Sequence, residues 1–447
     1  MRLFVLMLVA ALVSSTALAQ PEAWSTSWTA SVQGPYPVGN PSAQPDQRFA
    51  FPTPPVGAND QTFRLVVRPD LWGRQARLSF SNAFGIKPIT FDGIFVGLQL
   101  GGAAVVPSTN QPVRFSGKDG VTIAPGESVW SDAVPLPFVA DPEALSLAGR
   151  KLAVSFHIAG ASGPMTWHAK ALQTSYVTAS GSGARGDEEG ESAFPFSTAS
   201  WFFLNAVDMS APTGTPVILC FGDSITDGTA STMNGDDRWP DVLSRRLHAA
   251  YGNRLAVVNA GIGGNQVTGP KEYGPEKPFP GGPSAGHRLE RDVLRLSGVA
   301  TVIWLEGIND FSKNGNAAVE DVTAGMREGV ARLRAGIPGI RVIGATVVSA
   351  LGSTVANGAH GFPEQDAKRK ALNDFIRSSG VFDAVVDFDA VTLDRATGGI
   401  KPEFVPESTM GGAGDKLHPN RAGYVAMGTS IDLALVAPSL GGLNKKP

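Results

Sequence analysis

An α/β domain behind an all-β one is the fold that this sequence predicts, and three observations predict it. Between about Gln20 and Asp208 the chain consists of short β-rich runs separated by turn residues, with no amphipathic helix of useful length. From Val217 onward, apolar strands alternate with helical patterns, the rhythm of a parallel sheet covered on both faces. A serine, Ser224, follows the first of those strands, where open α/β sheets place their chemistry.

In the first half the predicted strands are Gln61 to Val67, Gln75 to Ser81, Ile89 to Leu98, Lys151 to Ile158 and Ser175 to Ala179. Pro69-Asp70, Asn82-Ala83 and Asp119-Gly120 supply turns between them. Many short strands with such turns predict a β-sandwich or jelly roll over residues 20–210. Gly181 to Glu191, rich in Gly, Ser and acidic residues, reads as an exposed loop. The boundary is placed near Ser210-Ala211-Pro212-Thr213-Gly214.

In the second half, 215–440, the predicted strands are Val217 to Phe221, Leu255 to Asn259, Thr301 to Glu306, Arg341 to Val348 and Ala384 to Asp387. Helices are expected at Arg238 to Tyr251, Leu289 to Leu296, Val319 to Ala335, Gln365 to Ser378 and Asn420 to Leu435. In Val319 to Ala335, the apolar Val322, Met326, Val330 and Leu333 recur at spacings of three and four, an inward stripe on a surface helix.

The bulk composition excludes several classes. The chain has 447 residues, enough for two cores, and only 17% are charged, with a formal net charge of −3. No basic stripe is present to neutralise phosphates, so nucleic acid is not an expected partner. Met1-Arg2, the apolar run from Leu3 to Leu12 and a small-residue site ending at Ala19 read as a signal peptide over 1–19, and hence export to a periplasm or the medium. That run is shorter than the ~20 residues a membrane span needs, and no later segment qualifies, so stable membrane insertion is not expected. Cys220 is the only cysteine, which rules out an intrachain disulfide; inside an apolar strand it reads as a small buried hydrophobe rather than a reactive thiol.

The candidate chemistry lies where strands end. A serine hydroxyl is a weak nucleophile until a base takes its proton. Ser224, in Gly222-Asp223-Ser224-Ile225, is placed to meet such a base, although helix N-capping is the commonest fate of Ser between strand and helix. Asp415-Lys416-Leu417-His418-Pro419 supplies an imidazole with a carboxylate three residues away that can set its tautomer. Taken alone, that spacing also describes a capped turn with a surface histidine. Asn309, in Glu306-Gly307-Ile308-Asn309-Asp310, carries an amide able to donate to a developing oxyanion, or an Asx turn. Gly261, Gly263 and Gly264 follow the second strand, where glycine lets a backbone N–H approach a ligand. Asp223 and Asp310 read as turn and loop braces. Trp24, Trp28 and Tyr36 are candidates for a sugar-stacking platform, though packing of a core is the more common use. His157 and His168 read as structural, and no Cys/His/Asp cluster has metal-ligand spacing. Serine, glycine, asparagine and histidine thus follow strands one, two, three and five, and in a parallel sheet those loops share one edge. One hydrolytic site accounts for all four.

These blocks resemble the SGNH (GDSL-type) hydrolases, named for the same four residue types. Gly222-Asp223-Ser224-Ile225, Asn259 to Asn265, Gly307-Ile308-Asn309-Asp310 and Asp415 to Pro419 match the family's four blocks in order, over roughly the last half of the chain. The resemblance implies a flavodoxin-like sheet of order 2-1-3-4-5, no metal or other cofactor, and acyl-enzyme chemistry on carbohydrate or lipid esters. It assigns Ser224, His418 and Asp415 to the catalytic triad and the Ser224 and Gly264 backbone N–H groups with Asn309 to the oxyanion hole. More vaguely, the first half resembles β-sandwich domains that precede such hydrolase domains in secreted members. The expectation is an exported serine esterase acting on small or polysaccharide esters, most naturally acetyl groups on carbohydrate. A broad-range lipase or arylesterase, an acyltransferase using the same serine, and a glycan-binding module with a dead second domain are the rivals. The chain carries no long apolar lid segment of the kind that favours fatty acyl groups, and its Gly/Pro-rich loop from Gln266 to Gly286 shapes the cleft in a way the sequence leaves open.

Overall fold

The computed structural model describes residues 21–355 and 359–437. The expected leader, 1–19, and residues 438–440 of the expected second unit lie outside them.

Two antiparallel sheets face each other in the first half. One places Glu22–Thr29, Leu204–Pro212, Gln75–Ser81 and Ser128–Trp130 side by side, with Val134–Pro135 also on Gln75–Ser81. The other orders Phe196–Thr198, Ser175–Val177, Asn59–Val67, Leu152–Ala161, Ile89–Gly101 and Ala104–Val105, and two further short strands pair with Ile89–Gly101. Phe63, Phe91 and Phe156 point inward from the larger sheet and meet Phe80 of the smaller one. Phe80 lies 5.4 Å from Phe91 and 5.1 Å, edge-on, from Phe156, so aromatic burial holds the layers together. This is a sandwich, as the turn spacing predicts. Beside several strands of two or three residues, two long strands, Glu22–Thr29 and Leu204–Pro212, are not among those expected from the sequence. Each depends on the other, pairing from Glu22↔Pro212 to Thr29↔Ala206 across almost the whole half, and no local pattern announces such a contact. The Gly181–Glu191 segment is mostly exposed but anchored: the fully buried Arg64 guanidinium donates to the Ala103 and Gly190 carbonyls.

The second half is a five-stranded parallel sheet in the order Ala256–Gly261, Val217–Gly222, Val299–Leu305, Arg341–Ala345, Ala384–Val386. That is the 2-1-3-4-5 order of a flavodoxin-like fold. The second strand in that order, Val217–Gly222, is buried along its whole length, as a strand covered on both faces must be. Helices α1 (Ser224–Asp227), α2 (Trp239–Tyr251), α3 (Ala285–Leu289), α4 (Val319–Gly336), α5 (Pro363–Ser378), α6 (Phe388–Thr392), α7 (Arg421–Ser430) and α8 (Leu433–Val436) surround it. In α4 the stripe Val322, Met326, Val330 and Leu333 is buried, as its spacing requires.

Two helices depart from their sequence-based bounds. The pattern at Leu289 to Leu296 is the end of α3 running into a π-helical turn, Glu290–Leu294. The pattern at Asn420 to Leu435 breaks after Ser430, because Asp432 starts a new helix by accepting from the Ala434 N–H at 3.0 Å. The four- and five-residue helices α1 and α6 are too short to leave a periodic signature.

The halves are stitched by buried polar groups. Asp70 of the first half accepts from the Val257 N–H at 2.6 Å, from His248 Nε2 at 2.9 Å and from the Ser244 hydroxyl. The Thr26 N–H donates to the Ser297 carbonyl at 3.0 Å, while Thr26 Oγ1 accepts from the Ser297 N–H at 2.9 Å. No helix among the described residues is long and apolar enough to cross a membrane.

Candidate active site

The chain leaves the strand Val217–Gly222 and, after Asp223, enters α1. Asp223, with extended backbone, caps that helix by accepting from the Ile225 N–H at 3.0 Å. Asp223 therefore fills the capping role, and Ser224 is the first helical residue with its hydroxyl free for another partner. That partner is His418, whose Nε2 lies 2.9 Å from Ser224 Oγ. The residues are 194 positions apart, so only the tertiary fold joins them.

His418 is held by its own loop. Asp415 Oδ1 accepts from the backbone N–H groups of Leu417 and His418, both at 2.9 Å, and Asp415 Oδ2 lies 2.5 Å from His418 Nδ1. Lys416 takes φ +58 to close this turn. The carboxylate is partly buried, which alone would raise its pKa; the hydrogen bonds and charge of His418 outweigh that and hold it well below the usual range. An ionised Asp415 requires the proton on Nδ1 and leaves Nε2 as the acceptor for the serine hydroxyl. A second imidazole, His360, stands near this pair. Burial, then the neighbouring His418, push its pKa down to about 4 against the pull of Asp415. Among the described residues neither of its ring nitrogens has a hydrogen-bond partner.

The residues expected as oxyanion donors follow the strands Val217–Gly222, Ala256–Gly261 and Val299–Leu305. Gly264 adopts φ +86, a conformation that favours glycine, and a Cβ there would lie 2.5 Å from the Asn40 amide nitrogen. Among the described residues, the N–H groups of Ser224 and Gly264 donate to no protein acceptor. Asn309 Nδ2 spends one hydrogen on the Asn265 carbonyl at 3.0 Å and keeps the other. The glycine loop packs on α1: a Cβ at Gly261 would be 2.3 Å from the Asp227 nitrogen, and the Gly263 N–H donates to Asp227 Oδ2 at 2.8 Å.

Asp310 braces the long loop after the glycine block, accepting from the Val267 and Thr268 N–H groups at 2.9 Å and from Thr268 Oγ1 at 2.7 Å. Burial raises the Asp310 pKa and lifts that of Asp223 to about 7. Both aspartates are thus committed to backbone groups. Among the described residues no group of three or more His, Cys, Asp or Glu side chains could hold a metal ion.

Several residues at the site gave no signal of a role there in the sequence, His168 among them, which reads as structural. Arg288, fully buried over the Phe221 ring at 3.7 Å, donates to Asn265 Oδ1 at 2.6 Å, to the Ala260 carbonyl at 2.7 Å and to the Gly222 carbonyl at 2.8 Å. It ties the ends of the first two strands to the glycine loop. From the first half come Asn40, whose amide donates to the Gly263 carbonyl at 2.8 Å, and Gln33, which donates to the Pro280 carbonyl at 2.8 Å. His168 Nε2 is 3.1 Å from Asp227 Oδ1, and Lys170 donates to Thr229 Oγ1. Their spacing forms no motif; contact with a distant half is what singles them out. His157 lies between Asp92 and Asp60, a structural pairing within the sandwich. The sugar-platform reading of the early aromatics fails for two of them: Trp28 and Tyr36 are buried edge-on against Trp201 and Trp167, and half-buried Trp24 stacks on Arg77. Cys220 is buried in its strand, and burial pushes its thiol pKa well up.

Comparison with known proteins follows the same line. Residues 220–426 match the GDSL-like lipase/acylhydrolase family. No curated protein matches the chain. Among solved structures it is similar to a carbohydrate acetylesterase from Sinorhizobium meliloti, at 16% identity and TM-score 0.36 over 48% of this chain and 94% of that one. It is also similar to an aryl esterase of M. smegmatis, at 20% identity and TM-score 0.38 over 50% and 99% of the two chains. A GDSL-like lipase from Bacteroides thetaiotaomicron shares 18% identity at TM-score 0.36, over 50% and 89%. With a serine at the end of the strand Val217–Gly222, the family's four blocks gathered at one sheet edge and its model matched over residues 220–426, the second half of this chain is a GDSL-type (SGNH) acylhydrolase domain, a serine hydrolase acting on esters.

Proposed function

We propose that Ser224 is the nucleophile, His418 the general base and Asp415 the residue that orients it, in an exported esterase that removes short acyl groups from carbohydrate. The observation that carries this reading is the unbroken chain from Ser224 Oγ to His418 Nε2 at 2.9 Å and from His418 Nδ1 to Asp415 Oδ2 at 2.5 Å. His418 takes the hydroxyl proton as Ser224 Oγ bonds to the ester carbonyl carbon, and returns it to the departing alcohol as the C–O bond breaks. A water molecule then gives a proton to His418 and attacks the acyl-serine, and the proton passes back to Ser224 as the acid leaves. The Ser224 and Gly264 N–H groups and the Asn309 amide receive the oxyanion in both halves of the reaction.

Ser224 is 5% and Asn309 7% exposed, so the groups read as reacting are recessed from bulk water. The β-rich half, 20–210, is read as an accessory domain, 215–440 as the catalytic domain and 1–19 as a leader removed on export. The test is a series of nitrophenyl esters of increasing chain length beside acetylated xylan, with and without an acceptor sugar. Acetyl esters should be the best substrates, free acetate the product, and Ser224→Ala should lose nearly all turnover. A preference for longer chains would replace the deacetylase reading with a broad-range lipase or arylesterase. Acyl transfer to the sugar would make the protein a transferase. Wild-type rates in Ser224→Ala would end the assignment of the nucleophile.

A further inference from the structure

The least explained group around the site is an ammonium from the other half of the chain. Lys170 follows the two-residue strand Trp167–His168, yet its side chain leaves the sandwich and is buried against the hydrolase half, with only 4% of the residue exposed. Its nitrogen donates to Thr229 Oγ1, and the Thr229 N–H in turn donates to the Ser224 carbonyl at 2.9 Å. On the other side it borders the glycine loop: a Cβ on Gly263 would come 2.9 Å from Lys170 Nζ. Lys170 therefore stands between the segment carrying Ser224 and the residue before Gly264.

The charges around it are one-sided. Asp227 and Asp223 of the α1 segment and Asp415 of the His418 loop all act on this ammonium and favour its charged form, against the larger cost of burial. None is committed to it as a partner. Asp227 gives its oxygens to His168 and the Gly263 N–H, Asp223 caps α1, and Asp415 holds His418. From its own half the neighbouring polar groups are His168, already bonded to the Ser31 carbonyl and Asp227, and Asn40, bonded to the Gly263 carbonyl. His418 itself faces Ser224, Asp415 and His360. A lysine with three N–H bonds uses one of them here on a side chain, in a place where desolvation strengthens any electrostatic effect.

We infer that Lys170 is a positioning residue of the esterase site, supplied by the β-rich half, which seats the Gly263–Gly264 loop against α1 and sets a fixed positive charge behind the oxyanion corner. The inference rests on the reading of Ser224 and His418 given above. Lys170 acts through the glycine loop and the segment carrying Ser224, not by touching the reacting atoms.

The experiment compares wild type, Lys170→Met, Lys170→Arg and Gly263→Ala with nitrophenyl acetate. It measures kcat, KM and thermal unfolding. Lys170→Met should lower kcat about tenfold or more with KM within about twofold. Lys170→Arg keeps the charge and should restore kcat to within about threefold of wild type. In Gly263→Ala the new methyl displaces the flexible end of Lys170, so kcat should fall severalfold in a protein that still folds. A folded Lys170→Met with wild-type kcat, or a folded Lys170→Arg that loses as much kcat as Lys170→Met, overturns the inference. Should Lys170→Met not fold, Gly263→Ala decides: wild-type kcat there overturns it equally. Failure of the nucleophile assignment is read separately, from activity retained by Ser224→Ala.

Discussion

Asp415→Asn separates the chemistry of the triad from its architecture. The substitution preserves one oxygen, and Asn Oδ1 can go on accepting from the Leu417 and His418 N–H groups that now lie 2.9 Å from Asp415 Oδ1. The turn should therefore survive, with a change in melting temperature of no more than about 2–4 °C. What changes is the atom facing His418 Nδ1. An acceptor 2.5 Å away becomes an N–H₂ donor, and the imidazole must move its proton to Nε2 to avoid opposing donors. Nε2 then has no lone pair for the Ser224 hydroxyl, and kcat should fall about 10⁴-fold, or about 5.4 kcal/mol at 1.36 kcal/mol per decade. The assay is steady-state hydrolysis of nitrophenyl acetate with thermal unfolding on the same samples. Acid sensitivity supplies a second reading. The Asp415 pKa lies below its ordinary 3.8 in the folded protein, so its stabilising contribution is complete above about pH 4 and is lost as the pH falls through the lower folded value. Wild type should thus lose stability relative to Asp415→Asn only below about pH 4. A variant that keeps more than about a tenth of wild-type kcat would show that Asp415 does not set the tautomer, and the triad reading would fall with it.

Two further outcomes follow from the same geometry. Asn309→Ala removes an oxyanion donor while sparing the backbone, and kcat should drop about 10²–10³-fold with KM little changed; an unchanged kcat in steady-state assays would remove Asn309 from the oxyanion hole. Glu306 is fully buried, and burial, partly offset by Arg288, lifts its pKa from 4.5 to about 8; Oε2 accepts from Trp304 Nε1 at 2.8 Å, and Oε1 has no partner among the described residues. Since the unfolded chain ionises this group first, it weakens the folded state progressively from about pH 4.5 to about 8, so Glu306→Gln should melt at a similar temperature to wild type near pH 4.5 and about 3 °C or more above it near pH 8; a constant difference across that range in thermal unfolding would refute the burial argument.

Much of the second half was legible because its signals are local. Parallel strands buried on both faces read as apolar runs, and α4 carries its inward stripe in its own spacing, so a parallel sheet with helices on both faces could be expected before any contact was seen, while its 2-1-3-4-5 order came from the family resemblance. Ser224, Gly264, Asn309, Asp415 and His418 stood out because each follows a strand and the loops after parallel strands open on one edge. The same locality explains the misses. A one-turn helix such as α1 has no period, and the pairing of Glu22–Thr29 with Leu204–Pro212 spans about the whole sandwich. Asp223 rather than Ser224 caps α1, a choice that depends on which side chain the turn points back toward its own backbone.

What the amino-acid order determined by itself was the class of fold and the residue types able to run ester chemistry, since strand period, turn residues and motif spacing are properties of short segments. What only the tertiary structure decided was who meets whom: that His418 Nε2 reaches Ser224 Oγ, that Arg288 braces the glycine loop, and that Asn40, His168 and Lys170 come over from the other half. These are contacts between segments 23 to 223 residues apart in sequence, and they exist only once burial of the cores has brought the segments together.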